Sequence, residues 1–238
     1  MNRFHIASAA LLALSLASAP CAFADTVTYA DITNSTGNVV TGTVAGIGFT
    51  ISGPTAFVQL SNTGQTNYFV DSNKTSAAPV YIGGDIDNAP TDGALVALSQ
   101  PNETYTITFA SAVSNLVFSE VSLGPGSPPV TYTFDQTFTV ATCGTGYWGG
   151  GCFVDEPIGT SGTVLAGNES SGSIEFGETF TTLSFTVGPN SENWNGFDFG
   201  LHPQTPPPPP AVPEPSSLAL LGTGLCGLVG VARRKLRS

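Results

Sequence analysis

The sequence predicts an all-β protein: an antiparallel β-sandwich of jelly-roll-like form, with an N-terminal signal peptide before it and a single C-terminal transmembrane helix after it. Three observations predict this. Thr, Val, Phe and Tyr recur in short runs with period-two alternation, which turns one face of a strand to a core and the other to water. Clusters of Gly, Pro, Asn, Asp and Ser separate the runs and supply turns. No stretch between the two ends sustains a 3.6-residue apolar period, so helix should be sparse.

The first element is an export signal. Arg3 gives a positive start, an apolar run extends from Ile6 to Ala19, and Ala22 and Ala24 occupy the Ala-x-Ala positions that signal peptidase reads, so residues 1–24 are expected to leave before Asp25. A first membrane helix is the competing reading, but the run is shorter than the roughly 20 residues a bilayer requires. Cys21 is not a lipidation site of the usual kind, because Pro20 rather than a small residue precedes it.

Residues 25–204 form the expected ectodomain, long enough for one domain with a substantial core. Strands are expected at Asn38–Val44, Ala56–Leu60, Glu103–Phe109, Leu116–Val121, Val130–Phe134, Phe138–Ala141, Ser173–Phe176, Phe180–Val187 and Trp194–Leu201. Tyr105, Ile107 and Phe109 fall on one face of their run and Thr106 and Thr108 on the other, the mark of a sheet with one dry face.

Charge excludes whole classes of partner. Between Asp25 and Pro210 stand sixteen Asp and Glu and a single basic residue, Lys74, so the domain carries a formal charge of −15. Nucleic-acid binding draws its affinity from Lys and Arg, which excludes it here, together with nucleotide phosphates held by side-chain cations. Sugars, divalent cations and basic partners remain.

Of the four cysteines, Cys21 leaves with the signal and Cys226 lies in the apolar tail. Cys143 and Cys152 are left, and two cysteines in an exported domain predict one disulfide rather than a zinc site, which would need histidine nearby. The loop they close holds five glycines around Tyr147 and Trp148. Glycines cannot bury such rings locally, so Tyr147, Trp148 and the later Trp194 are candidate carbohydrate-binding residues, stacking on the C–H faces of sugars. Asp155, Glu156, Asn193 and Asn195 would supply a polar rim if the two loops meet. The opposing reading folds Trp148 and Trp194 back onto the core or the end of the sandwich.

The densest acidic stretch, Gly84 to Gly93, offers Asp85, Asp87, Asn88 and Asp92 as oxygen ligands for calcium. The bidentate glutamate of an EF-hand loop is missing, and the competing reading is an ordinary solvated turn between strands, which Asp, Asn, Pro and Gly favour for backbone reasons. No other cofactor is expected. Four Asn-x-Ser/Thr triplets, at Asn34, Asn73, Asn102 and Asn168, are ordinary in so Thr-rich a chain.

Catalysis has little to work with. Nucleophilic triads need a base such as histidine or lysine, and the domain offers only Lys74 and His202, neither in a motif and with no Gly-x-Ser-x-Gly. Paired carboxylates acting on a glycosidic bond are the one chemistry the composition permits freely. The domain is therefore expected not to be an enzyme, with a surface-displayed glycosidase as the alternative.

After His202 the composition changes to Pro-Gln-Thr and five prolines, Pro206 to Pro210, a semi-rigid linker over residues 205–211. Residues 212–238 then carry Val212-Pro213-Glu214-Pro215, an apolar segment over about 216–232 that is just long enough to cross a bilayer, and a basic cluster over 233–238 that includes Arg233 and Arg234. The cations place that end in the cytoplasm and the domain outside. Val-Pro-Glu-Pro, a short Gly-containing helix and a terminal Arg-Arg cluster, in that order, resemble the PEP-CTERM sorting signal of Gram-negative bacteria. The segment Phe180 to Leu201, two aromatic strands around a polar loop, also resembles the closing strands of many ectodomains of that family. The resemblance implies recognition by an exosortase, processing near Pro213-Glu214-Pro215, a transient membrane anchor, and a destination in the cell envelope, at the surface or in the extracellular matrix. It further implies an association with exopolysaccharide or biofilm matrix in a structural or binding role.

Overall fold

The computed structural model describes residues 26–76, 79–125, 128–190 and 193–203. The signal segment, the proline linker, the Pro-Glu-Pro motif, the apolar helix and the basic tail lie outside the described residues.

The described chain is all-β and antiparallel, as expected. In order it forms β1 (Thr28–Tyr29), β2 (Asp31–Thr36), β3 (Val39–Val44), β4 (Ile47–Ser52), β5 (Phe57–Gln59), a single 3-10 turn at Pro79–Tyr81, β6 (Leu95–Leu98), β7 (Thr104–Val113), β8 (Leu116–Leu123), β9 (Val130–Gly144), β10 (Ser161–Gly167), β11 (Ser170–Phe176), β12 (Phe180–Val187) and β13 (Asn195–Leu201). Hydrogen bonding links the strands in the order β2-β3-β4-β7-β12-β9-β11-β8-β13-β6-β5, with β1 added beside β13 and β10 beside β9.

The expectation of two separate sheets needs correction: this is one continuous, nearly barrel-shaped sheet, and β9 is the reason. Phe134 and Phe138 both point into the core, with Asp135, Gln136 and Thr137 between them. The sequence reads that interruption as a break between two strands, but the chain runs through it as one. Tyr132, Thr133 and Phe134 pair with β12, while Thr139 to Gly144 pair with β11. A single strand thus hands the ladder from one leaf to the other. The leaves still face each other as in a sandwich. Phe49 of β4 meets Phe199 of β13 at 4.9 Å, and Phe118 of β8 meets Phe185 of β12 at 5.8 Å.

Alternation survives where only one face is dry. In β7, Tyr105, Ile107 and Phe109 are buried, while Thr104 and Thr108 are exposed. In β8 and β13 every residue is buried, because the segment between β5 and β6 crosses their outer face. Phe69, Val80, Tyr81 and Ala89 of that segment pack on Leu95, Ala97 and Val121, and Ile86 packs on Val117 together with Val27. Asn88 fastens this cover to the start of the chain: its amide accepts from Val27 N at 2.8 Å and donates to Val27 O at 3.0 Å. Beneath the cover lie Ser119, Ser173 and Asp198, all fully buried, with Ser119 and Ser173 hydrogen-bonded at 2.9 Å.

Candidate functional site

β9 ends at Gly144 and enters a turn that the sequence specifies closely. Gly146 and Gly149 exchange backbone hydrogen bonds at 2.9 and 3.1 Å, leaving Tyr147 and Trp148 as the two residues at the tip. Below the tip, Gly150 has φ of +76°, and a Cβ there would collide with the Glu169 carbonyl oxygen, so only glycine lets the loop descend past β11. Cys143 and Cys152 are joined in the expected disulfide, Cα to Cα 4.7 Å, and Ser170 Oγ donates to Cys152 O at 2.9 Å. The turn is held at its base from both sides.

This crosslinked tip meets the Trp194 loop. The Trp148 and Trp194 ring centroids lie 4.9 Å apart, nearly perpendicular. Two rings and one cation that the sequence reading did not place complete the group. Tyr68, from the segment covering β8, stacks on Trp148 at 5.0 Å and stands edge-on to Tyr147 and Trp194 at 5.0 and 5.1 Å. Phe57 of β5 supports Trp194 at 5.0 Å. Lys74 then sets its ammonium 4.3 Å from the Tyr147 centroid.

The two readings of the tryptophans divide between them. Trp194 is half-buried against the Phe69 and Tyr81 cluster. Trp148 keeps 47% of its surface exposed, the most of any aromatic among the described residues. Such edge-to-face and offset pairs fix ring positions before a ligand arrives.

The expected polar rim is only partly assembled. Asn193 is exposed beside Trp194, but Asn195 is buried and accepts a hydrogen bond from Tyr132. Asp155 is exposed, while Glu156 turns toward Gly162 of β10. Burial, and then the charge of Asp155, push the Glu156 carboxyl up to about 7.

Other carboxylates hold the scaffold. Glu175 meets His202 at 3.3 Å, Asp135 accepts from Ser184 N at 2.9 Å, and Asp71 accepts from Thr75 N at 3.1 Å. Glu120 is fully buried and accepts from Tyr132 at 3.5 Å. In the acidic stretch, Asp85 and Asp87 are exposed, Asp92 accepts from Ala94 N at 3.0 Å, and Asn88 serves Val27. Among the described residues no three His, Cys, Asp or Glu side chains are grouped to hold a metal ion.

Comparison with known proteins identifies the tail. A PEP-CTERM protein-sorting motif matches residues 211–237. No curated protein and no solved structure matches the chain. The motif marks an exported, exosortase-sorted protein directed to the cell surface of a Gram-negative bacterium. Mature protein from the native host is therefore expected to lack the apolar segment and the basic cluster Arg233 to Arg237. Mass spectrometry of the surface fraction checks this, and intact peptides ending at Ser238 would leave a plain membrane anchor as the better account.

Proposed function

We propose that the exported domain is a surface or matrix protein that associates with exopolysaccharide through the aromatic platform of Tyr68, Tyr147, Trp148 and Trp194, binding without cleaving. One observation carries this reading: a tryptophan half exposed at the tip of a disulfide-held turn, braced by three further rings. Flat aromatic faces suit the C–H surfaces of sugars, and a braced ring loses little freedom on binding. The non-catalytic part is supported by the roles of the scaffold carboxylates: Asp71, Asp92 and Asp135 accept from backbone N–H groups, Glu175 meets His202, and Glu120 lies inside the fold. Retention of the protein on the host's own exopolysaccharide tests the proposal. The wild-type protein should be held and Trp148→Ala released. Repeating the assay with a calcium chelator shows whether Asp85, Asp87, Asn88 and Asp92 contribute. Release of both proteins from every glycan offered would sink the proposal.

A further inference from the structure

The inference concerns Lys74 and rests on the polysaccharide reading of the platform, whose ligand class it narrows. We propose that the platform selects an anionic saccharide, with Lys74 meeting the sugar's negative charge beside Trp148.

In a domain with sixteen acids and one basic residue, simple electrostatics would draw that base into an ion pair. It is not in one. The described ion pair is His202 with Glu175, and among the described residues no carboxylate approaches Lys74 Nζ within 4.0 Å. The ammonium sits instead over an aromatic ring of the platform, 4.3 Å from the Tyr147 centroid. A cation on a ring face is attracted by the quadrupole yet keeps N–H donors free for a further acceptor.

The placement is built. Asp71 closes the turn that carries Lys74: its N–H donates to Ser76 O at 3.0 Å, its carbonyl accepts from Lys74 N at 2.8 Å, and its carboxylate accepts from Thr75 N at 3.1 Å and Ser76 Oγ at 3.2 Å. Those hydrogen bonds, first of them that from Thr75 N, hold the Asp71 carboxyl below the usual carboxylate range. Tyr147 in turn lies 4.6 Å from Trp148. The ammonium therefore stands no farther from the indole than those two distances laid end to end, within reach of a carboxylate or sulfate on a sugar stacked there.

The domain's net negative charge opposes an anionic polymer at long range. At physiological salt, however, exposed charges are screened beyond about 8 Å, so the nearest cation governs the contact. A platform for neutral sugars has no use for the single cation of the domain.

Affinity electrophoresis of the full exported protein through gels containing polygalacturonate, dextran sulfate or neutral dextran, at about 0.15 M salt, separates the outcomes. Wild type should bind at least one anionic polymer about tenfold more tightly than dextran, the effect of one charge-assisted hydrogen bond. Lys74→Met should erase that excess and leave dextran retention unchanged, and Lys74→Arg should keep it. A preference for polygalacturonate assigns the charge to a carboxylate, and a preference for dextran sulfate assigns it to a sulfate ester. Equal wild-type affinity for all three polymers overturns the charge selection while the platform stands. Equal loss on all three in Lys74→Met overturns it too, because Lys74 would then only prop Tyr147. No retention on any polymer, including the host's own, removes the platform reading and this inference with it.

Discussion

Trp148→Ala is expected to abolish polysaccharide retention while lowering stability by only about 1–2 kcal/mol, because its ring pairs with Tyr68, Tyr147 and Trp194 lie at a half-exposed site, where each contributes toward the low end of about 0.5–1.5 kcal/mol. The ring is 47% exposed, so the apolar area it withdraws from water is small, and the Cys143–Cys152 crosslink holds the turn whether or not the indole is present. Phe118→Ala makes the contrast. Phe118 is fully buried between the leaves, stacked on Phe197 at 4.6 Å and edge-on to Phe134 and Phe185 at 5.6 and 5.8 Å. Its loss should cost about 3–5 kcal/mol. Thermal melts of both variants beside wild type, with retention measured on the same samples, decide the matter. A Trp148→Ala protein that melts as low as Phe118→Ala would place the indole in the core; one that is stable and still retained would leave the platform without a role.

Much of this was legible in the sequence. Period-two alternation located β3, β5, β7, β8, β11, β12 and β13 to within a few residues, because each has a side that must be apolar. β2 escaped because Asp31–Thr36 is polar and mostly exposed at the sheet margin, so it presents almost no alternation. β6, Leu95-Val-Ala-Leu, escaped for the opposite reason: it is buried on both faces, and a short continuous apolar run carries no period. β9 was divided because its polar middle resembles a turn, although the chain there continues as strand from one leaf to the other. At the site, the disulfide followed from cysteine count, whereas glycine content left Trp148 open between an exposed platform and a ring folded back on the core. Tyr68 and Lys74 were not placed because they approach through tertiary packing from a segment more than seventy residues upstream of Tyr147. The available signal was an aromatic pair, Tyr68-Phe69, in a stretch otherwise made of polar turn residues, the same feature that drew attention to Tyr147 and Trp148.

The domain should be more stable at pH 5 than at pH 8, and Asp198 should be the main cause. Asp198 is fully buried beneath the segment that covers β8 and β13. Burial first, then repulsion from Asp92, raise its carboxyl well above the ordinary carboxylate value, against the opposing hydrogen bond from Phe199 N at 2.8 Å. Folded protein therefore holds this proton over a range in which unfolded chain has lost it. Because the native state then binds more protons, stability is greatest below the unfolded value and falls as pH rises toward the folded one, by up to about 1.4 kcal/mol per pH unit. Glu156, raised to about 7, acts in the same direction between its ordinary value and about 7, more weakly because it is only partly buried. Ordinary carboxylates are already ionised above pH 5, so general repulsion within the acidic domain changes little across this window and the raised groups stand out. Chemical denaturation between pH 5 and pH 8 measures the slope. Asp198→Asn keeps the shape and removes the titration; it should flatten the profile and leave the variant more stable than wild type at pH 8. Glu156→Gln should flatten it slightly. An unchanged slope in Asp198→Asn would mean that the carboxylate is ionised in the folded state, and that the cover over β8 and β13 admits more water than its packing allows.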